Sequence, residues 1–139
     1  MNRFPKSGYE TAGGMAYFPR MLDKMRLHAE GKLREDYHAN LGTGMDGRCC
    51  HFLRVDYAEL RARVLAGGED KEILEWCFER GRRLDGVDLQ IWNGFVTKFG
   101  WRDKATPHLE KVKKESGLEG RQDIVTMFEY FEVAEGRKG

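Results

Sequence analysis

The chain has 139 residues, 40% of them hydrophobic and 34% charged, so it can bury a core of its own as one domain without disulfide bonds or structural metals. Its 24 Lys and Arg residues nearly balance its 23 Asp and Glu residues, which excludes the strong positive field by which proteins attract nucleic acid or anionic membranes. Because the sequence has neither a signal-peptide core nor a run of roughly 18 apolar residues, we expect a soluble cytoplasmic protein.

Glycine and proline punctuate the N-terminal region. Residues 1–14 contain Pro5 and three glycines, which predict an extended strap lying over the domain. The first helix is predicted from Pro19 to Glu30, because proline suits the first turn of a helix and Gly31 suits the position just past its end.

A polar, glycine-rich loop is predicted from Gly31 to Gly47, and it is the longest irregular stretch. A short helix carrying Cys49 to Leu53 follows. The next helix begins at Asp56, whose carboxylate can cap free backbone N–H groups, and it ends at the Gly67-Gly68 pair.

In the next two helices, too, an aspartate is predicted at the start and a glycine at the end. Asp70 is predicted to cap a helix that ends at Gly81 and forms a hairpin with the preceding helix. Asp85 opens a strongly apolar helix that runs through Phe99 and is closed by Gly100.

Two further helices and a short tail complete the chain. Thr106-Pro107 predicts a surface helix that ends at Ser116-Gly117. The last helix is predicted from Arg121 to Val133 and is expected to dock into the core, whereas residues 134–139 are expected to fray. Since no segment alternates with the two-residue period of a strand, the predicted fold class is all-α, a single domain over residues 1–139 with an irregular orthogonal packing of six or seven helices.

The glycine-rich loop contains a G-x-G-x-x-G spacing from Gly42 to Gly47. In dinucleotide-binding folds this spacing follows a buried strand, but the preceding residues, REDYHANL, are polar, so a flexible loop that starts a helix is the preferred interpretation. A second interpretation stays open, in which backbone N–H groups at the start of the helix bind one anion with Arg48 nearby.

The cysteine and histidine residues do not form a recognisable catalytic or metal-binding pattern. Cys49, Cys50 and Cys77 are an odd number without a C-x-x-C pair, so we interpret them as reduced thiols and expect Cys77 to be buried. His51 follows Cys50 directly, but neighbours in sequence do not face each other on a helix. The sequence predicts no metal site and no cofactor.

Charge along the helices also argues against nucleic-acid binding. The second helix of the hairpin from Asp56 to Gly81 carries three glutamates along one side, where a recognition helix would approach phosphates. The cluster of Lys111, Lys113 and Lys114 lies beside Glu110 and Glu115, which predicts a solvated face.

The first helix carries opposite charges within one turn at Arg20, Asp23 and Lys24. Such pairs usually form a solvated face. In the alternative interpretation, Arg20 and Lys24 line a pocket, Asp23 orients one of them, and the opposite wall is the loop around Tyr37 and His38. The candidate ligand-binding residues are Arg20, Asp23, Lys24, Tyr37, His38 and Arg48.

Three segments resemble one known family. The segment GGMAYFPRMLDKMRLHAEGKL contains a Gly-Gly turn followed by Pro-Arg-Met-Leu-Asp-Lys, and FLRVDYAELRARVLAGGEDKEILEWC and IWNGF follow it. Together they are similar to a bacterial family named domain of unknown function 5069 over nearly the whole chain. The resemblance implies a compact helical bacterial protein, and it brings no activity, cofactor or catalytic residue with it.

Two functions remain open from the sequence. Because no complete catalytic signature is present, the first is a non-enzymatic binding or interaction protein with a protein partner. The second is a protein or enzyme that binds a small anionic ligand between the Arg20–Lys24 turn and the loop of residues 37–48.

Overall fold

The structure, a computed structural model, describes residues 3–139. Within this range a two-stranded hairpin is followed by seven α-helices and one 3₁₀ helix. The elements are β1 (Thr11–Ala12), β2 (Met15–Ala16), α1 (Phe18–Ala29), the 3₁₀ helix (Glu35–Asn40), α2 (Gly44–Leu53), α3 (Tyr57–Leu65), α4 (Asp70–Arg80), α5 (Gly86–Lys98), α6 (Thr106–Glu115) and α7 (Met127–Ala134). The prediction of an all-α domain is confirmed.

The N-terminal strap contains a small hairpin that the sequence did not predict. Thr11 pairs with Ala16 and Ala12 with Met15 in antiparallel register. Gly13 and Gly14, both with positive φ, form the turn between them, because a left-handed backbone costs glycine no steric clash. Helix α1 begins two residues after the end of the hairpin.

The core is built around α1. Its residues Phe18, Met21 and Leu22 have no exposed surface, and the helix packs against α3, α4 and β1. From the other side α5 holds the hairpin, since Trp92 Nε1 donates to Ala16 O over 2.8 Å. Asn93 Oδ1 accepts from Ala16 N over 2.9 Å, and its Nδ2 donates to Gly14 O over 2.8 Å. The side chain of Asn93 thus satisfies backbone groups that a third strand would otherwise pair.

Three predicted helix caps have different outcomes. Asp56 and Asp85 cap α3 and α5, accepting from Glu59 N over 3.0 Å and from Asp88 N over 2.9 Å, as predicted. Asp70 is not the cap of α4. Glu69 takes that position, because the Asp70 carboxylate forms an ion pair with Arg26 at 2.8 Å.

The last two helices differ from the prediction. Helix α7 begins at Met127 and not at Arg121, because Thr126 caps it by accepting from Glu129 N over 3.1 Å. The loop before α7 is held by Lys113, which is 4% exposed. Its Nζ donates to Arg121 O over 2.8 Å and to Ile124 O over 2.9 Å. The predicted solvated lysine face is therefore wrong at Lys113.

The C-terminal tail is anchored, so the expected fraying of residues 134–139 needs correction. Glu135 is 7% exposed and Arg137 Nη1 donates to its Oε1 over 2.7 Å. Lys138 N donates to Glu132 O over 3.0 Å. Glu135 is held because it pairs with a buried arginine of α1, described below.

Candidate functional site

A cavity of about 300 Å³ opens between α1, the start of α2, α6 and α7. Its wall is mostly apolar, with side chains from α2, the end of α5 and α7. The apolar lining residues used below are Met45, Phe99, Met127, Phe128 and Phe131. Polar side chains also line this space, namely those of Tyr17, Arg20, Lys24, Tyr37, Asn40, Thr43, Arg48 and His108.

Arg20 lies on this wall with 3% of its surface exposed. Its guanidinium binds Glu135 through its two terminal nitrogens, with Nη1–Oε1 and Nη2–Oε2 distances of 2.8 and 2.7 Å. Tyr37 donates to Glu135 Oε2 over 2.7 Å. Burial acts to raise the pKa of Glu135, but the hydrogen bonds and charge of Arg20 outweigh it and hold that pKa below its usual value. Glu135 is therefore ionised and holds Arg20 and Tyr37 in place beside the cavity.

Lys24 has an equivalent anchor in Asp46, which has no exposed surface. Lys24 Nζ lies 3.0 Å from both carboxylate oxygens, and Tyr17 donates to Asp46 Oδ1 over 2.5 Å. Burial lowers the pKa of Lys24, with Asp46 opposing, and burial followed by the charge of Asp46 raises the pKa of Tyr17 well above its usual value. The phenol is thus held protonated as a donor.

Tyr17 also has an unusual backbone conformation for a bulky residue. Its φ of 72° and ψ of −30° lie in the left-handed region that favours glycine. Such conformations cost on the order of 1–3 kcal/mol and concentrate at ligand-binding and catalytic sites. This conformation places the Tyr17 ring, just before α1, on the cavity wall.

Arg48 differs from the other two cations. It is exposed, and its guanidinium lies 5.0 Å from the centroid of the Phe99 ring. Within residues 3–139 its guanidinium has no ion pair and no hydrogen-bond partner. Arg20, Lys24 and Arg48 therefore place three cations on a wall that includes no carboxylate among the described residues.

Four of the six predicted site residues meet at this cavity, and two do not. Arg20, Lys24, Tyr37 and Arg48 line it. Asp23 lies outside, where its Oδ2 accepts from Lys6 N over 3.0 Å, so it orients neither cation. His38 is also outside. Its Nε2 lies 3.1 Å from Leu33 O, and its ring packs against His28 with centroids 4.8 Å apart.

Sequence reasoning missed Asp46, Glu135 and Tyr17. Asp46 lies inside the glycine motif, which was interpreted as a turn, and its Oδ2 accepts from Gly42 N over 3.1 Å. Glu135 lies in the expected tail. An acidic residue at the end of an apolar helix only weakly indicates a buried ion pair. It can be assigned a partner only once the position of Arg20 in the fold is known.

The glycine motif forms the turn and the first residues of α2. It follows a 3₁₀ helix, not a strand. Thr43 makes no side-chain cap, because its Oγ1 donates to Ala39 O over 3.1 Å. Thr43 and Gly44 line the cavity together with Arg48, so the anion interpretation of this motif and the predicted pocket concern the same space.

The three cysteines are free and buried, as predicted for Cys77. Burial raises the pKa of Cys50 and of Cys77 to about 12. A thiol with such a pKa is almost entirely protonated at neutral pH and is a poor nucleophile. Residues 3–139 contain no group of three or more His, Cys, Asp or Glu side chains that could hold a metal ion, and none of the helices described there is long and apolar enough to cross a membrane.

The fold and the cavity together define a small helical domain with a partly open pocket whose wall carries three cations. Residues 2–137 match the model of a family described as domain of unknown function (DUF5069), and the chain belongs to that family. No curated protein matches the chain.

Proposed function

We propose that the protein is a non-enzymatic binding protein for a small organic molecule with an anionic group, and that the cavity is the binding site. The observation that carries this proposal is a mostly apolar wall with no carboxylate from residues 3–139, on which Arg20 and Lys24 have buried ion-pair partners and Arg48 has none. Small-molecule sites are typically apolar pockets with a few fixed polar groups. Of the two functions left open by the sequence, this geometry favours the small anionic ligand.

The buried ion pairs support the proposal because they are expensive for stability alone. Taking two charges out of water costs several kcal/mol per ion, and apolar replacements are often as stable. Here Glu135 and Asp46 hold Arg20 and Lys24 at 2.7–3.0 Å. Both side chains are thus fixed on the wall, so the cavity already has its shape before any ligand arrives and less ordering is needed on binding.

The phenols and the ammonium on the cavity wall are held as hydrogen-bond donors, which supports binding, and His108 also lines the cavity. Burial raises the pKa of Tyr17 and of Tyr37 and keeps both phenols as neutral donors. Lys24 directs its ammonium at Asp46 and Tyr17, so it is not free to act as a nucleophile. We also propose that the protein acts in the cytoplasm, since its buried free thiols are typical of a reducing compartment.

A thermal-shift screen against a metabolite library tests the proposal. A ligand present at 100 times its Kd stabilises the protein by about 2.7 kcal/mol. Ala105 lines the cavity, so Ala105→Trp fills it and is expected to abolish the shift. Ala58→Trp is the matched control, because Ala58 is exposed on α3. If acidic hits stabilise the wild type and A105W equally, the cavity is not their site.

A second candidate function rests on a stripe along α5. Val87, Ile91 and Phe95 are 62%, 59% and 41% exposed and recur every four residues, so they form one apolar face. Such faces often mark protein interaction sites. Light scattering across a concentration series tests self-association. A mass that rises with concentration and returns to the monomer in Ile91→Asp supports it, and a constant monomer contradicts it.

A further inference from the structure

We propose that the ligand is a monocarboxylate whose carboxylate binds Arg48 at the mouth of the cavity, while its apolar body lies on the wall formed by Met127, Phe128 and Phe131. This inference rests on the proposed function and specifies its ligand class. It reverses the simplest expectation, in which the buried cations Arg20 and Lys24 would take the anion.

The hydrogen-bonding capacity of Lys24 is already occupied. An ammonium has three N–H donors, and Lys24 Nζ lies 3.0 Å from each oxygen of Asp46 and 3.4 Å from the Tyr17 hydroxyl. Its positive charge is balanced by the carboxylate behind it. An incoming anion would have to displace Asp46, which is fully buried.

Arg20 has its charge balanced by Glu135 and uses three of its five N–H donors within the protein. Two of its N–H groups bind Glu135, and Nη1 also donates to Lys6 O over 3.0 Å. The guanidinium carbon lies 4.6 Å from the centroid of the Phe131 ring, so one face of the group is covered. Arg137 also contacts Glu135 but is balanced by Glu132 at 3.3 Å.

Arg48 is the remaining cation. With Arg20 balanced by Glu135 and Lys24 by Asp46, one positive charge at the cavity has no counterpart within residues 3–139. A planar guanidinium forms two parallel hydrogen bonds with a carboxylate. A single uncompensated charge matches a carboxylate better than a phosphate, which carries up to two negative charges.

The apolar side chains of the cavity determine the size and shape of the apolar part of the ligand. Phe128 and Phe131 line it with the methionines at 45 and 127, a surface suited to an aromatic ring or a branched hydrocarbon. A space of about 300 Å³ holds on the order of ten non-hydrogen atoms at the density of water. Phenylacetate has this size and one carboxylate, so it is a suitable probe.

Isothermal titration calorimetry of the full chain tests the inference with phenylacetate, its neutral isostere phenylacetamide, benzylphosphonate and inorganic phosphate. Phenylacetate is expected to bind about ten- to hundredfold more tightly than phenylacetamide, since hydrogen bonds to charged groups are the stronger ones. Arg48→Met should remove this preference and leave phenylacetamide unchanged, and Arg48→Lys should restore part of it. Arg102→Met is the matched control, because Arg102 is also exposed and lies over the Trp101 ring.

The outcomes separate this inference from the proposed function. Equal binding of phenylacetate and phenylacetamide, lost in A105W but unaffected by R48M, overturns the role of Arg48 and leaves the cavity as a binding site. Tighter binding of benzylphosphonate or phosphate overturns the assignment to monocarboxylates. Absence of binding by all four probes also overturns that assignment, and the library screen with A105W then decides the proposed function by itself.

Discussion

Arg20 and Glu135, separated by 115 positions in sequence, form a buried ion pair with two hydrogen bonds of 2.8 and 2.7 Å. This pair joins the first helix to the end of the last one beside the cavity. Because Tyr37 donates to the same carboxylate, three distant parts of the chain meet at Glu135. The end of the chain is therefore part of the candidate site.

Removal of the Glu135 charge is expected to destabilise the protein strongly. In Glu135→Gln the buried guanidinium of Arg20 loses its counter-ion, and breaking one side of a buried pair costs about 3–5 kcal/mol. Urea denaturation measures this loss. Glu119→Gln, at an exposed position without an ion pair in residues 3–139, is the control and should change the free energy of unfolding by no more than about 0.5 kcal/mol. A small effect of E135Q would show that the pair does not anchor the tail.

The Glu135 carboxylate is also expected to make the free energy of unfolding depend on pH in the acidic range. Since the folded state holds the pKa of Glu135 below its ordinary value of 4.5, its contribution to stability is full above that value and is lost as pH falls through the lower folded pKa. Urea denaturation between pH 6 and about 2.5 should show this loss in the wild type. In E135Q the dependence should be weaker, because the residue no longer titrates. An identical slope in both proteins would contradict the assignment.

A contact of the site could be predicted from the sequence only when its two residues lie close together along the chain. Arg20 and Lys24 stood out locally because two cations one turn apart lie on one helix face. Their partners Asp46 and Glu135 could not be identified in this way. Helical periodicity indicates which face of a helix is buried, but not which distant residue contacts that face. Asp23 illustrates the resulting error. It was the nearest carboxylate in sequence, but its side chain accepts from the backbone of Lys6.

The fold was predictable to a similar limit. Caps such as Asp56 and Asp85 have a local cause and were found, whereas Asp70 was drawn to Arg26 of another helix. The start of α7 was predicted six residues too early, because Ile124 is apolar and buried but lies in a loop. That loop is held by Lys113, whose burial no lysine-rich pattern indicates.

The hydroxyl of Tyr17 is expected to contribute to stability through Asp46. Tyr17→Phe removes a donor from a fully buried carboxylate, and an unsatisfied buried partner costs about 1–3 kcal/mol. Tyr9→Phe is the matched control, because Tyr9 is 44% exposed and water can replace the contact of its hydroxyl with Thr126. Chemical denaturation of both variants checks the difference. Equal stabilities would mean that the 2.5 Å contact has little energetic weight.

The thiols are expected to be unreactive in the folded protein. Burial raises the pKa of Cys50 and of Cys77 to about 12, and burial also raises that of Cys49, so the thiolate fraction near neutral pH is very small. Labelling with Ellman's reagent should therefore be slow in buffer and should modify all three cysteines in guanidinium chloride. Rapid labelling of one thiol in the native protein would contradict its burial.

A crystal structure of the protein with the tightest acidic hit from the library screen tests the central claim most directly. We predict density for the ligand inside the cavity, with its anionic group about 2.7–2.9 Å from the Arg48 guanidinium and its apolar part on Phe128 and Phe131. The ion pairs of Arg20 with Glu135 and of Lys24 with Asp46 should remain intact. A ligand bound elsewhere on the surface, with the cavity unchanged, would contradict the claim.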